Sequence, residues 1–259
     1  MSKVSTINII KSQLGEIFNN YKFYLVIAWP YIVINFFVFS NNIANTYLII
    51  LFSFVGIVSF FPAAVATHQN IILNKQIGYF DVIKNFNEFK NYFYYSLVIF
   101  LCSYLLIGGS IVFLLGVLET SSFYSAGLSL AYLIFFVVFF FAGLFFVFFV
   151  YPALAFCLPK ASIGQTFKLG EIFKSTKGFR LTIFWQAWLI VGVCSILAFL
   201  FGLLMEQVFA ESDWTTFSLE SIVWTIVQVS IDGFAFILTV SCLSKTYIIY
   251  NESQDRSAE

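Results

Sequence analysis

The sequence predicts an all-α integral membrane protein with six transmembrane helices and both termini in the cytoplasm. The chain is 61% hydrophobic and only 10% charged, with a mean hydropathy of +0.93. A soluble domain could not shield that much apolar surface from water. Six long apolar stretches divide the chain, and all thirteen Lys and Arg residues fall in alternate gaps between them. Because these cations are retained on the cytoplasmic side, their alternation predicts both the number of spans and their orientation.

The predicted spans use most of the chain. Each apolar stretch approaches or exceeds the roughly 20 residues that a transmembrane helix needs. We place them at residues 23–40, 44–66, 92–118, 128–158, 181–205 and 221–249. We therefore expect a single membrane domain over residues 1–259, ending in a polar tail at 250–259, with no soluble catalytic domain. Polar residues run to about Lys22 and no small-residue cleavage site follows, which argues against a cleavable signal peptide.

The net charge is zero, but the charges are distributed asymmetrically. On the predicted topology, thirteen cations and seven carboxylates lie on the cytoplasmic side, whereas five carboxylates and no cation lie outside. The thirteenth acid, Asp232, falls inside the sixth span. A cytoplasmic excess of cations favours contact with anionic lipid headgroups, at about 1 kcal/mol per well-placed cation. No basic folded surface outside the membrane is predicted, so we expect no nucleic-acid partner.

A short motif recurs in the cytoplasmic segments. Leu14-Gly15-Glu16-Ile17-Phe18 is repeated letter for letter at 169–173, and residues 80–84 carry a degenerate copy. An offset of 90 pairs the middle segment with the third, including Pro62 with Pro152. In each case the segment leads into a pair of spans. We interpret the chain as three tandem units of a cytoplasmic amphipathic helix plus a transmembrane hairpin, at about 5–66, 77–158 and 163–249.

The cytoplasmic segments show helical periodicity. Apolar residues form one stripe in the first segment, at Ile7, Ile10, Leu14, Ile17 and Phe18, and another in the middle one, at Val82, Phe86, Phe89 and Phe93. Such helices can lie flat at the lipid interface with their lysines toward phosphate, or they can pack under the bundle as connectors; the two alternatives are compatible. The candidate residues for headgroup or partner contact are Lys84, Lys90, Lys168, Lys174, Lys177, Arg180 and His68.

Asp232 is the one acidic residue deep within a predicted span. A carboxylate at the bilayer centre costs roughly 2.5–3.5 kcal/mol on insertion scales, so it requires an explanation. It is either a protonatable site in a transport path or a structural acid held by hydrogen bonds. Its candidate partners are Gln228, one turn earlier, Gln186, and a backbone carbonyl freed by proline. Pro30, Pro62 and Pro152 are each expected to distort a helix.

Metal, cofactor and enzyme signatures are not found in the sequence. His68 is the only histidine and has no cysteine or glutamate cluster nearby, so we predict no metal site and no cofactor. The four cysteines lie in or at the ends of spans, which favours packing over disulfide bonding. Walker A, zinc-protease and serine-hydrolase motifs are absent, and a second membrane acid for an aspartyl protease is missing. The sequence therefore predicts a protein that is not an enzyme.

Two proline motifs give the chain a resemblance to a known family. Phe61-Pro62-Ala63-Ala64 and Tyr151-Pro152-Ala153-Leu154 stand near the cytoplasmic ends of the second and fourth spans. Together with the repeated Leu-Gly-Glu-Ile-Phe, they give the chain a pattern that resembles bacterial six-span YciC-like proteins and the membrane domain of some glycerophosphodiester phosphodiesterases. The resemblance implies a non-enzymatic protein of the bacterial inner membrane and supplies no catalytic residues.

These observations leave two hypotheses from different classes. The first is a membrane-organising or accessory protein that binds anionic lipids or partner membrane proteins. The second is a small-solute or ion transporter that uses Asp232 as its protonatable site. They differ in the surroundings that each requires for Asp232: a transporter needs this carboxylate to face an aqueous cavity inside the bundle.

Overall fold

The computed structural model describes residues 5–40, 46–103, 126–166, 168–208 and 219–258, together with positions 105, 106, 109 and 114. No strand occurs among these residues. The described helices are α1 (Thr6–Asn19), α2 (Tyr21–Ser40), α3 (Thr46–Leu73), α4 (Tyr79–Lys84), α5 (Phe86–Ser103), α6 (Ala126–Phe145), α7 (Tyr151–Ala155), α8 (Cys157–Ser162), α9 (Leu169–Ser175), α10 (Arg180–Val208) and α11 (Leu219–Ala258). A π-helical turn at Phe146–Val150 joins α6 to α7, and a 3-10 turn at Thr176–Gly178 lies between α9 and α10.

Three helical stretches are long and apolar enough to cross a membrane: Leu133–Ser162, Arg180–Gln207 and Ile222–Gln254. They coincide with the predicted fourth, fifth and sixth spans. The all-α fold and the presence of apolar helices of membrane-spanning length are therefore confirmed. A shorter apolar helix covers Tyr21–Phe37, within the first predicted span. Most of the second half of the predicted third span lies outside the described residues.

Helix α11 forms the centre of the bundle. It packs against α1, α2, α3, α8 and α10. In its most apolar 18-residue window 44% of the residues are buried, compared with 22% for α10 and 11% for the stretch from Leu133 to Ser162. Many phenylalanines of that last stretch are exposed, as at Phe141 and Phe145, whereas Phe146 and Phe156 are buried. The predicted fourth span is thus the peripheral one, and its exposed rings suit contact with lipid.

Only one of the three intramembrane prolines coincides with an irregular helix. Helices α2 and α3 continue through Pro30 and Pro62. Pro152 instead follows the π-helical turn and stands in the first turn of α7. A proline ring crowds the carbonyl four residues earlier and donates no hydrogen bond, and a π turn accommodates both effects by widening the helix. The predicted distortion is therefore found at Pro152.

The long amphipathic helix predicted for the middle segment is wrong. Helix α4 ends at Lys84, Asn85 leaves the helical conformation at φ −102°, ψ 33°, and α5 starts at Phe86. The break divides the predicted stripe, so that Phe86 is exposed whereas Val82 is fully buried. The third segment is also short, because α9 has only seven residues. Only the first segment, α1, is a long helix with one buried face.

All three cytoplasmic segments pack against the bundle through one equivalent residue. The offset of 90 pairs Val82 with Ile172, which stands where Ile17 stands in the repeated motif, and the exposed fractions of Ile17, Val82 and Ile172 are 6%, 0% and 5%. The first two segments also end alike: Asn20 and Asn85 share a backbone conformation and donate their N–H groups to the carbonyls four residues before them. The segments therefore pack under the bundle as connectors, which is one of the two compatible alternatives that the sequence allowed. The faces opposite to Ile17, Val82 and Ile172 lie outside the core.

The predicted polar tail at 250–259 is helical. Helix α11 runs without a break for 40 residues to Ala258. At 1.5 Å per residue its length is about 60 Å, roughly twice the thickness of the hydrocarbon core of a bilayer. Its C-terminal part therefore extends past any membrane that the apolar part crosses.

Candidate functional site

Exposed lysines cluster on the three segments that the sequence predicts to be cytoplasmic. Eight lysines of the described chain are exposed: Lys11, Lys22, Lys75, Lys84, Lys90, Lys168, Lys174 and Lys177. The single ion pair among described residues joins Lys84 Nζ to Asp81 Oδ1 at 3.9 Å. Five of the six predicted basic candidates are thus accessible, and four of them have no carboxylate partner in the described part of the chain.

Arg180 is the basic candidate that the structure does not leave accessible. Its Nε donates to Thr176 Oγ1 at 3.2 Å, its guanidinium donates to the Phe173 carbonyl, and it lies 5.3 Å from the centre of the Phe173 ring. A guanidinium placed at the end of a helix satisfies carbonyls that have no helical partner. Arg180 is therefore half-buried and caps α9, and its headgroup contact stays a prediction.

The middle segment is held on the bundle by a buried tyrosine. Tyr79 Oη donates to the Ser59 carbonyl of α3 at 3.0 Å, and its neighbour Val82 inserts into the main core. Burial raises the pKa of Tyr79 to about 12, so the hydroxyl keeps its proton at any physiological pH. Lys84 therefore belongs to a segment that Tyr79 and Val82 fix to the bundle.

His68 does not contact the headgroup layer, contrary to prediction. Its side chain is 0% exposed, and Nδ1 lies 2.6 Å from Ser244 Oγ of α11. The ring packs beside Tyr92, with 5.5 Å between ring centres. The prediction failed because α3 continues to Leu73 beyond the predicted end of the span, so position 68 lies inside a helix on its packed face. The Nε2 atom has no hydrogen-bond partner among the described residues.

An apolar cavity of about 360 Å³ lies beside His68. Its walls come from α3, α5, the α7–α8 region and α11, so it is enclosed by elements far apart in sequence. Sequence reasoning missed it. The available signal was the presence of Ser96 and Thr239 inside apolar runs, but nothing in a linear pattern shows that these two residues share a cavity with His68.

Asp232 is half-buried and paired with Gln228. Gln228 Nε2 donates to Oδ1 at 3.3 Å and to Oδ2 at 3.2 Å. The predicted pairing with Gln186 is wrong, because Gln186 bonds to Thr246 Oγ1 at 3.0 Å. Thr246 is fourteen residues beyond Asp232 on α11, about 21 Å along the helix, which is out of reach of one side chain.

Asp232 lines none of the three described cavities that adjoin α11. The apolar cavity beside His68 does not include it, a groove of about 500 Å³ between α10 and α11 is lined by Gln228 and Glu206 without Asp232, and a cavity of about 340 Å³ lies further along the helix, at Tyr247 and Tyr250. The arrangement that the transport hypothesis requires is therefore not found at these three places.

Metal-binding clusters are absent from the described residues: no group of three or more His, Cys, Asp or Glu side chains could hold a metal ion there. The four cysteines are free, and Cys157, Cys194 and Cys242 are buried within the helices. Their position is that of small packing residues.

No protein-family model, curated protein or solved structure matches this chain. The resemblance to YciC-like proteins consequently stays a prediction.

Proposed function

We propose that the chain is a non-enzymatic, six-span protein of the bacterial inner membrane that binds anionic lipid headgroups through the exposed lysines of its cytoplasmic segments. The single observation that carries the proposal is the set of seven exposed lysines that have no carboxylate partner among the described residues. Unpaired cations held beside a membrane attract anionic headgroups, and each contributes about 1 kcal/mol.

Exposed apolar residues beside these lysines favour lipid as the partner. Phe18 lies next to the buried Ile17, and Phe80 lies two residues before the buried Val82. Their side chains are 65% and 54% exposed. Leu181, Trp185 and Trp188 follow the third segment and are also exposed. Tryptophan concentrates at the membrane interface, and cations next to inserted apolar side chains are typical of interfacial segments. A soluble acidic partner would use the lysines but leave these rings in water.

The six-span topology and the threefold repeat are part of the proposal. The alternating cations support the topology, and the equivalent burial of Ile17, Val82 and Ile172 supports the repeat. On this arrangement each unit presents one basic segment to the same headgroup layer. Three such segments on one face would gather several anionic lipids around the bundle, which is the basis for a membrane-organising or accessory role, whether alone or with partner membrane proteins.

A transporter that uses Asp232 is the second proposal. The observation in its favour is a half-buried carboxylate in an apolar helix, with an amide as its only described hydrogen-bond partner. None of the described cavities is lined by Asp232, and for this reason we rank the transport hypothesis second.

The headgroup proposal predicts weaker lipid binding after neutralisation of the third segment. We expect Lys168→Gln, Lys174→Gln and Lys177→Gln in one chain to reduce the affinity for phosphatidylglycerol about tenfold or more, because three unpaired cations are removed. The measurement is native mass spectrometry of the detergent-solubilised protein, titrated with phosphatidylglycerol and, in parallel, with phosphatidylcholine. Phosphatidylcholine binding should not change.

A matched pair of single variants separates unpaired from paired lysines. Lys174→Gln removes an unpaired cation, whereas Lys84→Gln removes one that already lies near Asp81. We expect the larger loss of phosphatidylglycerol affinity from Lys174→Gln. Equal affinity of the triple variant and the unmodified protein would refute the headgroup proposal.

A further inference from the structure

A cavity of about 340 Å³ lies where α8, α9 and α11 meet, and we call it the Lys160 pocket after the one lysine in its wall. Its volume falls at the lower end of the range of about 300–1,000 Å³ typical of ligand sites. The pocket lies at the ends of two apolar helical stretches that are long enough to cross a membrane, Leu133–Ser162 and Ile222–Gln254. On the proposed topology both ends are cytoplasmic, so the pocket is at the depth of the lipid headgroups.

Lys160 is a half-buried cation without an ion partner in the described part of the chain. No carboxylate is among the described residues that line the pocket, and Glu252, which follows on α11, is exposed and outside it. A partly buried cation without a counter-ion costs free energy, and an anion in the pocket would offset this cost. The charge of the site therefore favours an anion and disfavours a cation.

Tyr247 presents an unused hydroxyl to the pocket. Its side chain is 5% exposed, and Oη makes no hydrogen bond with the described residues. Fully enclosed polar side-chain atoms without a partner occur at other described residues and not at Tyr247, so Tyr247 Oη keeps accessible surface. Because Tyr247 lines the pocket and the rest of its side chain is buried, this surface belongs to the pocket.

The other donors of α11 lie on the same face. Tyr250 and Asn251 follow Tyr247 by three and four residues, and both line the pocket. The Phe156 ring fixes the two tyrosines, with ring centres 5.7 Å from Tyr247 and 5.2 Å from Tyr250. The Tyr250 hydroxyl and the Asn251 amide also make no hydrogen bond with the described residues. Donors that are held in place before a ligand arrives bind it at a smaller entropic cost.

The turn after α8 adds a second group of donors. The Gln165 N–H donates to the Lys160 carbonyl at 3.2 Å, which holds Gln165 beside the pocket that its side chain lines. Helix α9 completes the wall with Ile172 and Ser175, and Ser175 Oγ donates to the Ile172 carbonyl at 3.1 Å. The free donors therefore come from the α8 turn, with Lys160, and from α11.

Donors from two elements around one cation suit a phosphate group better than a carboxylate. The oxygens of a phosphate group point to several sides of its phosphorus, whereas those of a carboxylate lie in one plane. The depth of the pocket favours the same group, because the apolar stretches end where the headgroup region of a bilayer begins.

We propose that the Lys160 pocket binds one phosphate group, with Lys160 as its counter-ion and the hydroxyls of Tyr247 and Tyr250 as donors. A lipid headgroup and a free organic phosphate share this chemistry. The site deepens the headgroup proposal, on which the lipid source rests, by assigning a built pocket to the phosphate. Lys160 is not one of the exposed lysines that carry the headgroup proposal.

The test measures how fast a water-soluble acetylating reagent modifies Lys160 in the full chain, solubilised in dodecyl maltoside, which carries no phosphate. Modified peptides are quantified by mass spectrometry. Lys245 is the internal control, because it is also half-buried, has no ion partner among the described residues and does not line the pocket. We expect dioctanoyl phosphatidylglycerol to slow the modification of Lys160 roughly fivefold or more, since a charge-assisted hydrogen bond holds the ammonium group. The modification of Lys245 should not change.

Three further probes identify the group that is recognised and its source. Glycerol phosphate brings the phosphate without lipid chains, dioctanoylglycerol brings the chains without phosphate, and glycerate replaces the phosphate with a carboxylate. Protection of Lys160 by phosphatidylglycerol alone identifies a lipid headgroup, whereas equal protection by glycerol phosphate identifies a free phosphate compound. Dioctanoylglycerol and glycerate should not protect Lys160.

Lys160→Gln and Lys245→Gln form a matched pair for affinity, measured by native mass spectrometry with dioctanoyl phosphatidylglycerol. We expect Lys160→Gln to weaken binding of the first lipid about tenfold or more, the loss of a hydrogen bond to a charged group, and Lys245→Gln to weaken it less than about twofold. Tyr247→Phe should weaken it roughly three- to tenfold. Its thermal stability should not fall, because the hydroxyl has no partner among the described residues.

Three results would overturn the proposal: equal protection of Lys160 and Lys245, unchanged affinity of Lys160→Gln, or protection of Lys160 by glycerate or dioctanoylglycerol equal to that by phosphatidylglycerol. Should Lys160→Gln fail to fold, the protection of Lys160 in the unmodified protein still decides. The variant with Lys168→Gln, Lys174→Gln and Lys177→Gln keeps the pocket, so saturating phosphatidylglycerol should still protect Lys160 there. Its overall lipid affinity reports separately on the headgroup proposal.

Discussion

At the scale of single residues, the function of a polar side chain in this protein depends on which of its donors and acceptors are not already used in hydrogen bonds within the protein. Arg180 donates one N–H to Thr176 and another to the Phe173 carbonyl, and Gln186 pairs with Thr246, so both side chains are held by groups of the protein itself. Lys174 and Lys177 make no such bond among the described residues and remain exposed. His68 is intermediate, with one ring nitrogen bonded to Ser244 and the other without a partner.

Asp232 provides a residue-scale prediction. We expect Asp232→Asn to fold normally, because the asparagine oxygen can still accept the bond from Gln228. Phosphatidylglycerol binding should be unchanged, and proteoliposomes that contain a pH-sensitive dye should show no change in proton flux. Asp232→Leu is the control: it leaves Gln228 without its acceptor and should lower stability by about 1 kcal/mol. A proton flux that Asp232→Asn abolishes would favour the transport hypothesis over ours.

At the scale of helices, breaks decide how the cytoplasmic segments meet the bundle. The periodic stripe of the middle segment is real, but Asn85 divides it and directs Val82 and Phe89 into the core. The periodicity can be read from the sequence because it reflects burial of alternate turns. The break at Asn85 cannot be read from the sequence, because an asparagine tolerates several backbone conformations and the surrounding packing selects one.

The end of α8 provides an element-scale prediction. Gly164 adopts φ +76° directly after this helix, and its N–H donates to the Ala161 carbonyl at 3.1 Å. A side chain in this left-handed conformation costs about 1–2 kcal/mol, so Gly164→Ala should lower the free energy of unfolding by that amount. Unfolding in a detergent–denaturant titration, followed by circular dichroism, measures the change.

Gly170→Ala is the matched control for this prediction. Gly170 lies in α9 with ordinary helical geometry, and an added Cβ would meet no atom within 4 Å. This substitution should be neutral or stabilising by up to about 1 kcal/mol, because alanine loses less backbone freedom on folding. A Gly164→Ala protein as stable as Gly170→Ala would contradict the assignment of a left-handed helix end.

At the scale of the whole molecule, the burial gradient from α6 through α10 to α11 separates a lipid-facing edge from a protein-enclosed centre. The interhelical cavity belongs to this scale, since it exists only where α3, α5 and α11 meet.

The proposed topology gives a whole-molecule prediction. Lys177 and Glu206 are separated by about 40 Å of helix, more than the roughly 30 Å of a hydrocarbon core, so they should lie on opposite sides of the membrane. In a background without the four native cysteines, we expect a membrane-impermeant maleimide to label Lys177→Cys only in inverted vesicles. Glu206→Cys should be labelled only from the outside.

Lys75→Cys is the second test of topology. It lies after α3, two spans from the first segment, and should behave like Lys177→Cys. Labelling of Lys75→Cys and Glu206→Cys from the same side would refute the alternating topology, even if the helices themselves are correct.

By itself the sequence determined the all-α fold, the positions of three apolar helices long enough to cross a membrane, and the exposure of most lysines. These properties depend on local composition, because an apolar run is stabilised by removal from water whereas the charge of a lysine is stabilised by hydration. Only the tertiary structure decided that His68 is enclosed, that Gln186 pairs with Thr246 and that a cavity lies beside Ser96. Each of these depends on which helices pack together and at what depth, and residues more than fifty positions apart in the chain carry no local signal of such contacts.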